Sequence, residues 1–310
     1  MKLNLYIFII SIFTTICSSS VIDDIKDYTV DVQNYLKVKN IKRDIKFNPT
    51  RTLDVYYKAN EVNELKPVVI HIYGGTWYKG NKVKFNNIGS LLDENDYVAV
   101  LPNYGLFPTA VFEDMVYDVY TAINWTFNNI KQYGGDPNRV TIVGHSAGAH
   151  LIALTLFKSY LNMENNNEIL KPFPVFERVV LLAGPYDFDD YSLIAKYFDK
   201  DISNSLLEKF VKVLFRTKTV SPHDIVASLP DNSISDSFNV KKFVFYYTAG
   251  DEKVPETSSR DLVDELNRVC DKINIQYIYN EKQYKHSEIV NGIRKGEELQ
   301  ENIYLSLLKL

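Results

Sequence analysis

Residues 139–151 read RVTIVGHSAGAHL, and residues 151–157 continue as LIALTLF. A β-branched run, Arg139–Val143, passes at once into Gly144-His145-Ser146-Ala147-Gly148 and then into an apolar helical pattern. A G-x-S-x-G sequence between a strand and a helix puts its serine on a tight turn with the hydroxyl exposed. Glycine is needed two residues before and two after, because the turn brings the strand and helix backbones very close. The helix start also aims backbone N–H groups at negative charge developing beside the serine.

The alternation of strand and helix extends outward from this turn. Strand-like runs occur at Leu53–Tyr57, Pro67–Tyr73, Tyr97–Leu101, Val140–Val143, Val179–Ala183, Lys242–Tyr247 and Ile273–Tyr279. Helical patterns lie between them, as at Phe112–Asn129 and Ala147–Tyr160. The four runs from Pro67 to Ala183 are almost continuously apolar, as expected of parallel strands covered on both faces. The predicted fold class is α/β, with a mostly parallel central sheet and helices on both sides. Residues 186–236 break the rhythm, being longer, more polar and helical in places. They are read as a lid insertion over the C-terminal edge of the sheet, within one domain spanning residues 21–310.

Composition narrows the function classes. With 45% hydrophobic residues in 310, there is ample material for a large core. The 35 basic and 39 acidic residues are mixed, giving a formal charge of −4. A nucleic-acid binder or a polybasic membrane-surface protein needs a concentrated positive patch, so both are disfavoured. The only cysteines are Cys17 and Cys270, which excludes a disulfide scaffold and a cysteine-based zinc site. The first twenty residues differ from the rest: Lys2, then the apolar run LYIFIISIFTTIC at Leu5–Cys17, then Ser18-Ser19-Ser20. That order predicts a secretory signal peptide over residues 1–20, or a short membrane anchor. The run is 13 residues, short of the roughly 20 that span a bilayer as a helix. The expected location is the secretory pathway, with membrane association through the N-terminus. Asn124-Trp125-Thr126 is a glycosylation sequon inside a predicted helix.

A serine hydroxyl needs a base, and the base needs an orienting acid. Where the nucleophile sits on such a turn, the chain order is serine, acid, histidine. Of the five histidines, His71 precedes Ser146, while His145 and His150 flank it too closely to reach across its hydroxyl. His223 lies in the expected lid. His286, in the polar loop after the last strand-like run, is therefore the candidate base. Asp251, just past Lys242–Tyr247 in a glycine-containing loop, is the candidate acid, with Asp187 after Val179–Ala183 as its rival. After Pro67–Tyr73 come Gly74 and Gly75, whose N–H groups can face an oxyanion opposite Ser146, with the N–H of Ala147 as a further donor.

Four stretches carry a family likeness: YGGTWYKGNK (73–82), NYGLFPTAVFEDMVYDV (103–119), YGGDPNRVTIVGHSAGAHL (133–151) and GDEKVP (250–255). Through them the chain resembles the α/β-hydrolase superfamily, in the esterase branch with a Gly-Gly-x-Trp oxyanion loop. Within that branch it is most similar to isoprenylcysteine α-carbonyl methylesterases. The resemblance spans residues 67–155, with islands at 243–256 and 284–289, and the expected lid has no counterpart. It implies an α/β-hydrolase fold and a serine carboxylic-ester hydrolase with Ser146, Asp251 and His286 as its triad. It also implies a small-molecule ester substrate with an apolar tail, and no metal or organic cofactor. Tyr73 stands where many esterases and kynurenine formamidases of the branch carry histidine, which suits the methylesterase group. Tyr73 and Trp77, matching that group, are the expected substrate contacts. Gly105 stands where relatives often carry arginine, so a supporting hydrogen bond is expected to be missing. The alternatives are an arylformamidase, a general carboxylesterase, and a binding protein that kept the fold without its catalysis.

Overall fold

The computed structural model describes residues 19–188 and 219–310, with side chains from residue 26. The expected signal peptide, apart from its last two residues, and the middle of the expected lid lie outside the described residues. Helix α1 (Ser19–Lys37) leads into β1 (Ile41–Lys46), β2 (Thr52–Tyr56) and β3 (Lys66–Ile72). Then follow α2 (Asn86–Glu94), β4 (Val98–Pro102), α3 (Phe112–Asn129), β5 (Gly135–His145) and α4 (Ala147–Tyr160). A small hairpin, β6 (Glu164–Asn165) and β7 (Glu168–Ile169), precedes β8 (Arg178–Leu182) and the short α5 (Pro222–Ala227). The chain closes with β9 (Phe243–Thr248), α6 (Thr257–Val269), β10 (Ile275–Asn280), α7 (Glu288–Lys295) and α8 (Glu298–Lys309).

Eight strands form one sheet in the order β1-β2-β4-β3-β5-β8-β9-β10. The pairs β1/β2 and β2/β4 are antiparallel, and from β4 to β10 every pair is parallel. Helices α3, α4, α5 and α6 pack along one another as one layer, and α1, α2, α7 and α8 as a second. That two-sided cover is why the central strands are apolar throughout: Val68–Ile72, Val98–Leu101 and Val179–Leu182 are all buried. Each large aliphatic or aromatic side chain fully buried there contributes about 1.5–3 kcal/mol. Helix α4 has no polar face, since every residue from Ala147 to Ser159 is buried. Even Lys158 is inside, where it donates to Asn165 Oδ1 from the β6–β7 hairpin at 2.9 Å.

The seven strand-like runs read from sequence all lie in the sheet, and β1 joins them at its edge. Its sequence, IKRDIK, alternates half-buried and exposed residues, as an antiparallel edge strand with charged residues facing water does. Lys82 fixes this edge: it is 3% exposed and its Nζ lies 2.5 Å from the fully buried Asp54 and 2.6 Å from Asp44. Tyr35 of α1 donates to the other oxygen of Asp54 at 2.8 Å, so helix, edge and the chain after β3 meet around the buried Lys82–Asp54 pair. Among the described residues no helix is long and apolar enough to cross a membrane. The sequon's Thr126 is buried in α3 and bonds to the carbonyl of Ala122 at 2.9 Å.

Candidate active site

Ser146 sits between β5 and α4 with φ 54° and ψ −121°, left-handed backbone that a residue with a side chain rarely adopts. The turn is held by the Ser146 N–H donating to the carbonyl of Leu182 at 2.8 Å, and by the His150 N–H donating to the Ser146 carbonyl at 3.0 Å. The flanking glycines are demanded by contact. A Cβ at Gly148 would sit 2.1 Å from the carbonyl oxygen of Ile72, and one at Gly144 would sit 2.7 Å from the amide nitrogen of Ala149.

Parallel pairing puts the C-terminal ends of β5, β9 and β10 on one edge of the sheet, and the loops leaving them converge. His286 Nε2 lies 2.8 Å from Ser146 Oγ, and His286 Nδ1 lies 2.9 Å from Asp251 Oδ2. An ionised carboxylate only accepts, so Nδ1 carries the proton and the Nε2 lone pair faces the serine hydroxyl. Burial alone would raise the Asp251 carboxyl. The hydrogen bond and charge of His286, with the N–H groups of Val254 and Lys253, outweigh it and hold the group below the usual carboxylate range. The histidine loop has its own supports: the His286 N–H donates to Glu252 Oε2 at 3.2 Å, and its carbonyl accepts from His145 Nε2 at 2.9 Å. Glu252 thus points to the histidine backbone, a role invisible in the sequence. At Gly250 a Cβ would meet the backbone of Gln283 at 2.5 Å, so the acid and histidine loops pass in direct contact.

A cavity of about 180 Å³ opens beside Ser146, lined by Gly74, Gly75, Thr76, Lys79, Lys84, His145, Lys253, His286 and Asn291 among others. A Cβ at Gly74 would lie 3.1 Å from Ser146 Cβ and 2.7 Å from the His145 carbonyl, so the backbone approaches the serine as closely as packing permits. Neither Gly74 nor Gly75 donates its N–H to any acceptor among the described residues. Tyr73 and Trp77, expected as substrate contacts, are placed otherwise: they are 2% and 1% exposed and lie beneath the loop. Tyr73 is stacked between Phe85 and Tyr104, ring centroids 5.6 and 4.5 Å away. The Tyr104 hydroxyl bonds the Tyr73 carbonyl at 2.9 Å. Trp77 packs edge-on against Phe112 and His150. Both rings therefore support the loop from below, filling core space between Phe85, Tyr104, Phe112 and His150.

The rival acid, Asp187, is half-buried, its carboxylate within 4.8 Å of ligand atoms of His223 and Asp224. The arginine absent at position 105 is replaced from elsewhere in the chain. Arg51, from the turn between β1 and β2, donates to Asp118 Oδ2 at 2.9 Å, and the Gly105 N–H bonds the same oxygen at 2.8 Å. Its Nη2 lies 2.7 Å from where a Cβ of residue 105 would stand, so the guanidinium occupies the space beside Asp118.

His71, His145 and His150 are wholly buried, and burial, the largest cause in each case, lowers them to about 3, 3 and 4. They remain neutral in the folded protein, whereas in the unfolded chain each binds a proton below about pH 6.5. The unfolded state therefore binds more protons from there down to about pH 4, and stability falls on acidification across that window. Each histidine adds up to about 1.4 kcal/mol per pH unit. Urea midpoints measured from pH 7.5 to 4.5 are expected to start dropping near pH 6.5, above the carboxylate range. A flat profile down to pH 5 contradicts the neutral assignment.

With this geometry in place, comparison with known proteins gives the lineage. The model of the BD-FAE family matches residues 53–266, which include Ser146, Asp251 and the Gly74-Gly75 loop. The chain belongs to the BD-FAE family. This BD-FAE chain is 26% identical over 268 residues to an isoprenylcysteine α-carbonyl methylesterase of Arabidopsis thaliana, covering 86% of itself and 61% of that protein. It is 34% identical over 147 residues to the esterase LipQ of Mycobacterium tuberculosis, covering 47% of itself and 33% of the relative. It thus spans less than two thirds of the length of these relatives. Among solved structures, an inhibited esterase B from Lactobacillus rhamnosis superposes with a TM-score of 0.67 at 16% identity, covering 94% of each chain. The fold is that of the α/β-hydrolases.

Proposed function

We propose that this BD-FAE protein is a serine carboxylic-ester hydrolase. One observation carries the reading: an unbroken hydrogen-bonded chain runs from Ser146 through His286 to Asp251, beside a cavity lined by Gly74 and Gly75. Ser146 Oγ attacks the ester carbonyl while His286 Nε2 takes its proton. The oxyanion forms against the N–H groups of Gly74, Gly75 and Ala147. The C–O bond then breaks, and His286 returns the proton to the leaving alcohol. Water, deprotonated by the same nitrogen, attacks the acyl-serine and releases the acid. Asp251 keeps Nδ1 protonated and stabilises the imidazolium. The names of the Arabidopsis and Mycobacterium relatives support ester chemistry.

For the substrate we propose a prenylcysteine methyl ester, a small alcohol on a long apolar tail. The similarity to methylesterases supports this choice. Of the lid insertion's apolar residues expected to line a tail channel, Tyr186 and Phe188 are instead buried in the core, Phe188 against Trp77. Those from Tyr191 to Phe215 lie outside the described residues. Labelling by a fluorophosphonate probe, lost in Ser146→Ala, tests the hydrolase reading. Farnesylcysteine methyl ester is expected to show a higher kcat/KM than acetylcysteine methyl ester through a lower KM. Equal values, or a preference for N-formylkynurenine, remove the prenyl substrate and leave the esterase. The apolar N-terminal run supports placing this activity in the secretory pathway, a proposal that fractionation of the expressed protein checks.

A further inference from the structure

Thr76 and Trp77, directly after the oxyanion glycines, both hold left-handed backbone, with φ 55° and 61°. A β-branched residue and a bulky aromatic in that region are outliers that persist only where the surroundings over-determine them. Two hydrogen bonds help to fix Trp77. Its carbonyl accepts from the Phe107 N–H at 2.9 Å, and its indole N–H donates to His150 Nδ1 at 3.1 Å. The opposite nitrogen of that imidazole, Nε2, lies 2.7 Å from the carbonyl oxygen of Val220. A carbonyl only accepts, so Nε2 bears the hydrogen and the Nδ1 lone pair is left for Trp77. Phe188 stands edge-on to the same ring at 5.1 Å. The His150 backbone N–H holds the Ser146 carbonyl. One fully buried imidazole therefore meets the oxyanion loop through Trp77, the nucleophile turn through its own amide, and residues on both sides of 189–218 through Phe188 and Val220.

We propose that His150 is a positioning residue for the oxyanion donors: by accepting from the Trp77 indole it holds the left-handed Thr76–Trp77 backbone, and so sets the Gly74 and Gly75 amides against Ser146. The inference rests on the hydrolase reading above. A phenylalanine would fill the same space but orphan both the indole N–H and the Val220 carbonyl, so packing alone does not require histidine.

Two amide variants separate the two nitrogens. His150→Asn keeps an acceptor near the Nδ1 position, and His150→Gln keeps a donor near Nε2. His150→Gln is expected to lower kcat about 100-fold, the size of an oxyanion-donor loss, with KM changed less than about threefold. Binding of a trifluoromethyl ketone, whose adduct carries the oxyanion, should weaken in parallel. His150→Asn should recover most of that loss. Trp77→Phe removes the bond from its other end and should match His150→Gln. The double variant should be no worse than either single one. This arm carries the test if His150→Gln does not fold. Additive losses, equal damage from Asn and Gln, or unchanged kcat in folded His150→Gln or Trp77→Phe overturn the proposal while leaving the hydrolase intact. Wild-type protein that hydrolyses no ester and takes no phosphonate overturns both.

Discussion

Ser146→Ala is expected to lower kcat on any accepted ester by about 10⁶-fold, with the fold unchanged. The size follows from the geometry. In the proposed reaction the hydroxyl forms the covalent bond, and His286 Nε2, 2.8 Å away, is the base that makes it nucleophilic. Neither acts without the other, so His286→Ala should cost about as much, and the double variant no more than either. Asp251→Asn is expected to be milder, about 10⁴-fold. An amide in place of the carboxylate can donate to Nδ1, which turns the ring to the tautomer whose Nε2–H faces the serine. Asp187→Asn should leave kcat within about twofold, since its carboxylate sits with His223 and Asp224. Single-turnover acylation with a p-nitrophenyl ester measures all five. A damaging Asp187→Asn beside a harmless Asp251→Asn would reassign the acid.

Gly75→Ala is the second large expected effect: kcat down about 100- to 1,000-fold, with a lower Tm from the backbone strain. Gly75 has φ 140°, a conformation closed to residues with a side chain, and a Cβ there would lie 1.9 Å from the Lys79 carbonyl oxygen. The Gly75 carbonyl also accepts the N–H groups of Tyr78 and Lys79, so moving one residue moves the whole turn. Its amide would leave its place opposite Ser146, and a shift of about 1 Å costs an oxyanion donor most of its effect. The buried Tyr73 and Trp77 flank this turn, so circular dichroism must accompany the kinetics to show that the fold persists. Proline at Gly75 would remove the N–H but cannot reach φ 140°, so alanine is the cleaner probe. A folded Gly75→Ala protein with wild-type kcat would move the oxyanion site elsewhere.

Much of the fold was legible because the central strands are covered on both faces. Runs such as PVVIHI and RVVLL can hardly be anything but buried strands, and the glycine-flanked serine between strand and helix is a local pattern. β1 escaped because an edge strand with one wet face reads as polar: IKRDIK has two isoleucines in six residues. The β6–β7 hairpin escaped because two-residue strands carry no periodicity. It turns on Asn166 and Asn167, both at positive φ, a signal seen only once the strands are known.

The sequence by itself determined the nucleophile turn, the alternation that builds a parallel sheet, and the chain order that singles out His286 after Ser146. Each of these is written within a few residues or in a simple succession of elements, where sterics and hydrophobic periodicity act directly. Only the tertiary structure decided that His286 meets Asp251 and not Asp187, and that Glu252 turns to the His286 backbone. It alone turned Tyr73 and Trp77 under the loop, set Arg51 beside Asp118 in place of an arginine at 105, and gave both nitrogens of His150 a partner. Those outcomes join groups up to 73 positions apart, as between Trp77 and His150. No local preference encodes such pairings, because they are chosen by which side chains the packed sheet and helices bring within about 3 Å of each other.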